Sequence, residues 1–429
     1  MLTNYPSLAV LFLVLITRVA VVAQVPSFLK IQITDHFWAE GAALDDIDRD
    51  GEVDVVSGPF WYQGPGFKVR HEIWPATARF TRARADGTVE TFPGFEGALG
   101  IKNAYSDNFL TFTCDINGDG WTDVLVIDFP GKAASWFENP RGADIPWSRH
   151  LVHESVGNES PGLVDVTGDG KPELTCCSHG RLGYLECDWN NPVVPWSFHA
   201  VSPAAPPLPN AFNQFTHGLG AGDLNGDGRV DLIEKDAWWE QSTPGGAPAW
   251  VRHAFPFAEA GAQMLVYDVN GDGLPDVITS LHAHRYGLAW YEQVRHAGDI
   301  SFRQHLILNP TATPNADGVS FTQPHSLALA DIDGDGLMDI VTGKRFWAHG
   351  KSGPDPESDG RPAVLYWFQL QRGDASDVSY VAHLIDEDSG VGTQVTVAPS
   401  HSSRPVIAVG NKKGLFVFVG RVNLAPNKP

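Results

Sequence analysis

Asp331-Ile-Asp333-Gly-Asp335-Gly336-Leu-Met-Asp339 places carboxylates at positions 1, 3, 5 and 9 of a nine-residue stretch, with glycine at position 6. Calcium takes roughly six to eight oxygen ligands, and alternate side chains of a tight loop can converge on one ion. A backbone carbonyl at position 7 adds a further ligand, and glycine at position 6 permits the sharp turn. Five other stretches follow the same pattern: Asp46-Ile-Asp48-Arg-Asp50-Gly51-Glu-Val-Asp54, Asp115-Ile-Asn117-Gly-Asp119-Gly120-Trp-Thr-Asp123, Asp165-Val-Thr167-Gly-Asp169-Gly170-Lys-Pro-Glu173, Asp223-Leu-Asn225-Gly-Asp227-Gly228-Arg-Val-Asp231 and Asp268-Val-Asn270-Gly-Asp272-Gly273-Leu-Pro-Asp276. From first copy to last, the leading aspartates are 69, 50, 58, 45 and 63 residues apart. One match would mean little; six in register predict a structural repeat with a calcium site in each copy.

An EF-hand would need a bidentate glutamate at position 12. The fourth copy alone has one, Glu234, where the others have Ser57, Val126, Cys176, Thr279 and Thr342. The β-branched runs at 53–56, 124–127, 277–279 and 340–342 also favour strands over helices. Each loop is therefore expected to join two strands. An aromatic strand follows most of these hairpins (Trp61-Tyr62, Trp136-Phe137, Trp239-Glu240, Trp290-Tyr291, Trp367-Phe368). A further strand carries His71, His150, His199, His253, His305 or His383, read as outer-strand residues of the repeat.

Four strands per unit make a propeller blade. A seventh unit spans 393–398, 406–409 and 415–419, and its loop at 399–404 lacks carboxylates, so no calcium is expected there. Residues 28–34 alternate in a way suited to supplying its missing fourth strand, which would remove an open edge. The expected fold is all-β: a seven-bladed β-propeller with calcium loops between the first two strands of six blades, the N-terminal strand closing the last.

The formal charge of −21 belongs mostly to the loops. Setting aside the 20 acidic residues at their ligand positions leaves 31 acidic against 30 basic. No basic stripe or basic–aromatic interleaving points to nucleic acid. Residues 8–22 are almost wholly apolar and lead to Val21-Val22-Ala23, the pattern of a secretory signal over 1–23. No later stretch is long and apolar enough for a membrane span, so residues 24–429 are expected to form a single secreted or extracytoplasmic domain. Four cysteines are too few for a disulfide scaffold; Cys176, Cys177 and Cys187 lie close enough in sequence to permit one bridge, and all four read as structural.

The repeated Asp-x-Asp/Asn-x-Asp-Gly-x-x-Asp loops resemble the FG-GAP/VCBS repeat family, as in the integrin α-subunit propeller. The likeness covers nearly all of the chain after residue 23. It departs in the seventh unit, at Thr167 and Glu173, and in the insertion at 75–105. More distantly, residues 214–220, Ser280-Leu-His-Ala-His-Arg-Tyr-Gly-Leu-Ala-Trp290 and Gly343-Lys-Arg-Phe-Trp-Ala-His-Gly350 are similar to the propeller part of aldos-2-ulose dehydratases, which eliminate water from keto-sugars.

In such a hairpin the start of the first strand and the end of the second share the face opposite the loop. Six residues before each leading aspartate stand Glu40, Phe109, Glu159, His217, Ala262 and His325, with Thr393 as the equivalent in the seventh unit. The second-strand ends add Asp128, His179, Glu234-Lys235-Asp236, His282, His284-Arg285, Lys344-Arg345, His349 and Lys412-Lys413. Taken singly, each reads as a surface or structural residue, and Lys412-Lys413 as a solvated turn. Together they form a candidate site at the mouth of a central channel.

Two functions follow from this pattern. One is a metal-assisted carbohydrate lyase or dehydratase. His282 or His284 would be the base, His217, His325 and Glu159 would hold an additional divalent metal, and Lys344 and Arg345 would bind negative charge. Tyr105, Asp107 and His349 are further candidates. The other is a non-catalytic propeller, with structural calcium, whose rim meets a glycan or another extracellular ligand.

Overall fold

The computed structural model describes residues 25–76, 79–84, 86–93, 105–203, 212–242, 249–259, 261–346, 348, 361–373, 377–398 and 404–421. Within them all regular secondary structure is β-strand, and no helix is long and apolar enough to cross a membrane. The expected signal segment, His349 and most of the seventh unit's loop lie outside the described residues.

The strands form antiparallel sheets that fall into seven groups of four among the described residues. The first group contains Ala43–Asp45, Asp54–Ser57, Phe60–Tyr62 and Arg70–Glu72. The second contains Leu110–Cys114, Asp123–Ile127, Lys132–Glu138 and the beginning of Ser148–Val164. That long strand continues as the first strand of the third group, with Glu173–Ser178, Arg181–Glu186 and Ser197–Ala200. The fourth begins at Leu219–Gly222, the fifth at Leu265–Tyr267 and the sixth at Pro324–Ala330. The seventh contains Val395–Ala398, Val406–Asn411 and Gly414–Arg421. Its fourth strand is Ser27–Thr34, paired antiparallel with Gly414–Arg421, as the alternation of 28–34 predicts. A separate two-stranded ribbon, Arg79–Ala83 with Val89–Pro93, occupies part of the insertion at 75–105.

No sheet closes on itself, yet first strands lie side by side from the third group through to the seventh, from the seventh to the first and from the first to the second, while the second and third groups share the long strand Ser148–Val164. The packing explains why. Second strands such as Asp54–Ser57 and Asp123–Ile127 are buried along their whole length, so both of their faces need cover. Seven apolar cores provide it, one between each pair of neighbouring groups. A single group would expose two apolar faces, so its stability depends on its neighbours.

The six acidic stretches adopt one backbone shape. Glycine at position 6 has φ between 83° and 89° in all six, the left-handed region that costs other residues most. Its N–H donates to the leading aspartate's Oδ2 at 2.8–3.1 Å in every copy. The position-9 carboxylate is buried and accepts the position-2 N–H at 2.7–3.1 Å. In five copies it also accepts an N–H from within or just past the third strand, at 2.7–3.0 Å.

The repeated histidines have a structural explanation. Each stacks on a third-strand ring of its own group, at centroid distances of 4.1–5.0 Å: Trp61, Trp136, Tyr184, Trp238, Trp290 and Trp367. In five groups the imidazole also meets the residue two positions beyond that ring: Glu138, Glu186, Glu240, Glu292 or Gln369. All four cysteines are free thiols, and Cys176, Cys177 and Cys187 are buried in apolar cores, so none of them forms the bridge their spacing would permit.

Candidate functional site

Strand register sets which residues share the face opposite the loops. In the fourth group Gly222 pairs with Asp231 beside the loop, while Leu219 pairs with Glu234 at the other end. In the sixth, Ala330 pairs with Asp339 and Pro324 with Lys344. The residues that precede the first strands therefore meet around the hub. Backbone bonds join them: Glu40 N–H to Asn108 O at 3.0 Å, Thr393 N–H to Glu40 O at 2.8 Å, and Glu159 N–H to Thr216 O at 2.8 Å. Two glutamines fill the space between strands, Gln263 linking Leu327 N–H to Thr393 O and Gln394 binding both N–H and O of Thr111.

Five of the predicted residues converge here. His217 and His325 stand Nε2 to Nε2 at 3.2 Å. Glu159 Oε2 lies 3.4 Å from His217 Nε2 and 3.3 Å from His325 Nε2. Arg345 Nη1 donates to His325 Nε2 at 2.9 Å and lies 3.6 Å from Glu159 Oε2. Because a guanidinium can only donate, His325 accepts at Nε2 and carries its proton on Nδ1. The His284 ring packs against both imidazoles, with centroids 4.9 Å from His217 and 5.2 Å from His325.

Charges continue across the hub. Arg345 Nη2 donates to Glu40 Oε2 at 3.2 Å, and Lys412 Nζ donates to Glu40 Oε1 at 2.9 Å. All three side chains are almost completely buried. Tyr105 and Phe109 line one side of the Arg345 guanidinium, 6.0 and 5.5 Å from its centre. Phe129 packs on both, and the half-exposed Phe215 extends this wall outward.

Burial sets the protonation states. It pushes His325 down to about 3, with the Arg345 guanidinium acting in the same direction. It also lowers His284, reinforced by His325 and His217. Burial alone would raise Glu159, but His217 and His325 outweigh it and hold the carboxyl well below its ordinary range. Desolvation likewise works against charge on Arg345, and Glu40 and Glu159 overcome it. At neutral pH His284 and His325 are therefore neutral and Glu159 is a carboxylate, states suited to metal ligands.

The fit to a metal can be tested on distances. Donors bonded at roughly 2.0–2.1 Å to one tetrahedral ion stand about 3.3 Å apart. The separations among Glu159 Oε2, His217 Nε2 and His325 Nε2 are 3.2, 3.3 and 3.4 Å. A His284 nitrogen lies within 4.8 Å of ligand nitrogens of His217 and His325. Glu159 Oε2 is buried and accepts no hydrogen bond, the condition of an oxygen placed for a ligand. These residues could hold a divalent ion. So could Asp46 with Asp48 and Asp50, Asp165 with Asp169 and Glu173, and Asp331 with Asp333 and Asp339, whose carboxylates cluster in the same way.

Other expected members stand apart or play different parts. Lys344 is buried and donates to Thr322 Oγ1 rather than facing the rim. His282 is half-buried beside the cluster, its Nδ1 accepting the His284 N–H at 3.0 Å. Asp107 pairs with Lys132 at 2.8 Å, and His179 with Glu154 at 3.7 Å in an exposed position. Burial raises Asp128 to about 7. Lys412, which reads as a solvated turn in sequence, is a buried member of the charge chain. Its partner Glu40 is 372 positions away, so no local signal distinguishes it from Lys413.

A family model for the FG-GAP-like repeat matches residues 115–176 and 268–342. Those two segments read as FG-GAP-like repeats. Both matched segments contain acidic loops described above, and repeats of this family indicate a β-propeller. No curated protein matches the chain. Among solved structures, the chain is similar to a putative 6-phosphogluconolactonase from Bacteroides uniformis, with 11% identity, a TM-score of 0.41, and coverage of 86% of this chain and 89% of that one. The S. cerevisiae core factor gives 9% identity and a TM-score of 0.43 over 94% and 62% of the two chains. The exotype rhamnogalacturonan lyase YesX gives 14% identity and 0.38 over 88% and 71%.

Proposed function

We propose that this FG-GAP-like protein is a secreted seven-bladed β-propeller with calcium in six loops, and that its hub is the active site of a metal-assisted carbohydrate lyase or dehydratase. The observation that carries the catalytic reading is the convergence of Glu159, His217 and His325 at mutual separations of 3.2–3.4 Å. The seven groups with their shared cores support the blade count, and the common loop shape with clustered carboxylates supports the calcium sites.

In this reading Glu159, His217, His325 and His284 hold a divalent ion other than calcium, because imidazole nitrogens suit transition metals. When bound, such an ion polarises a substrate carbonyl oxygen. The chain's own groups do the rest. His282 is the base: its lone pair is on Nδ1, which accepts the His284 N–H, so taking the carbon-bound proton there requires that hydrogen bond to open. The depressed basicity of His284 and its place among the other rings suit it to ligation instead. Arg345 faces developing negative charge, and Tyr105 and the half-exposed Phe215 offer apolar faces to a sugar ring. Residues as enclosed as Glu159 and His217, about a tenth exposed, favour a small ligand over the broad contact of an adhesion partner.

The test is ultraviolet absorbance from an unsaturated product on a panel of keto-sugars and uronic-acid polysaccharides. The expected result is a signal with the wild type that falls at least a hundredfold in His282→Ala, the loss of one general base typically costing about 10²–10⁴. Binding without turnover across the panel would favour the non-catalytic glycan-binding propeller.

A further inference from the structure

The cation nearest the proposed metal site belongs to the protein. Arg345 Nη1 is hydrogen-bonded to His325 Nε2, the same lone pair the site would give to an ion. An ion bonded to that nitrogen at roughly 2.1 Å could be no farther than about 5 Å from Nη1. Two cations cannot share that space without strong repulsion in a buried setting. The guanidinium also has an alternative anchor: Nη2 already donates to Glu40 Oε2, which Lys412 and the Thr393 backbone hold in place. Arg345 Nε is buried with no acceptor, and His325 Nδ1 is buried with no partner. In this position Arg345 leaves polar groups unsatisfied, which costs free energy that a shift could recover.

We propose that Arg345 is a built-in competitor for the metal, occupying the His325 lone pair when the ion is absent and withdrawing onto Glu40 when it binds. This rests on the metal reading of the hub and assigns Arg345 a further part in it: a positioning residue that sets metal affinity. The advantage is physical. A buried carboxylate such as Glu159 left without a counter-charge would be costly, and Arg345 neutralises it until an ion arrives. The cost appears as weakened metal binding, because each ion must first displace the guanidinium.

Cobalt(II) titration followed by visible absorbance and calorimetry, on calcium-saturated protein, tests the idea. Arg345→Gln should bind cobalt at least tenfold more tightly than the wild type, and the double variant Arg345→Gln/His217→Ala should lose that gain. Damage to the site would weaken binding, so a gain in affinity separates competition from a merely structural role. Glu40→Gln removes the alternative anchor and should bind cobalt at least tenfold more weakly; this variant decides the matter should Arg345→Gln fail to fold. Unchanged or weaker binding by Arg345→Gln, or tighter binding by Glu40→Gln, would overturn the competitor role while leaving the metal site standing. No cobalt binding by the wild type or Arg345→Gln would remove the metal site and the competitor role together.

Discussion

His217 and His325, 108 positions apart in sequence, meet Nε2 to Nε2 at 3.2 Å with the Glu159 carboxylate lying 3.4 and 3.3 Å from them. Each arrives at the start of a different first strand, so the contact exists only because the groups pack around a common hub. The metal reading predicts that transition-metal content follows these side chains. His217→Ala and His325→Ala should each weaken zinc or cobalt binding by at least the roughly tenfold that loss of an outer-shell partner costs, and so lower the metal retained. Calcium content should be unchanged, since the acidic loops lie at the opposite ends of the hairpins. Elemental analysis of calcium-saturated protein measures both, and full metal retention by the double variant would count against the site.

The position-9 carboxyls predict an unusual pH dependence. Burial, with smaller contributions from loop neighbours, raises Asp54, Asp123, Glu173 and Asp276 to about 7, Asp231 to about 6 and Asp339 to about 8. A carboxyl raised on folding holds its proton longer in the folded chain than in the unfolded one. The resulting stability is present below about pH 4 and is lost as pH rises through the folded values. Chelated protein should therefore melt at lower temperature at pH 8 than at pH 5. In the proposed calcium sites the ion would supply the missing positive charge, so protein saturated with calcium should show no such loss. Equal melting of chelated protein at both pH values would contradict this.

Asp339→Asn tests one loop in isolation. Its carboxylate accepts the Ile332 N–H at 3.1 Å and the Leu370 N–H at 2.9 Å. An asparagine can turn one oxygen to one donor but brings its own N–H towards the other. A cost of about 1–3 kcal/mol is expected for the unsatisfied donor, read by urea unfolding in chelator above about pH 8, where the Asp339 carboxyl has lost its proton. Titration with calcium should show one site fewer than in the wild type.

The stacked pairs divide unequally. Trp136 is fully buried in the core between the second and third groups, and its indole N–H donates to Pro192 O at 3.1 Å. Trp136→Ala should cost about 3–5 kcal/mol. His150, stacked on it at 4.4 Å and partly exposed, should cost only about 0.5–1.5 kcal/mol as alanine. Denaturant unfolding of both variants checks the ratio. A larger loss from His150 would mean that its pairing with Glu138 matters more than the stack.

The architecture was legible because its cause is local. Asp331 to Asp339 and its five relatives place carboxylates and glycines where a tight turn needs them, and β-branched flanks decide for strands. Both depend on neighbours within about ten residues. The pairing of residues 28–34 with the last strand was likewise readable, since alternation shows that one face must be covered. Adjacent chain ends supply an unpaired edge to take it.

The hub was legible only in outline. Counting six residues back from each loop picks out Glu40, Glu159, His217 and His325, because strand length and register are uniform. What the chain alone left open is which of these touch, which carry a proton, and that Lys344 turns inward to Thr322 while Lys412 reaches Glu40. Those outcomes depend on the rotation of one group against the next and on burial, which joins residues 108, 305 and 372 positions apart. Local sequence determined the repeat and the loops that stabilise it; tertiary packing decided the chemistry at the centre, because the electrostatics there come from side chains that meet nowhere but in the folded hub.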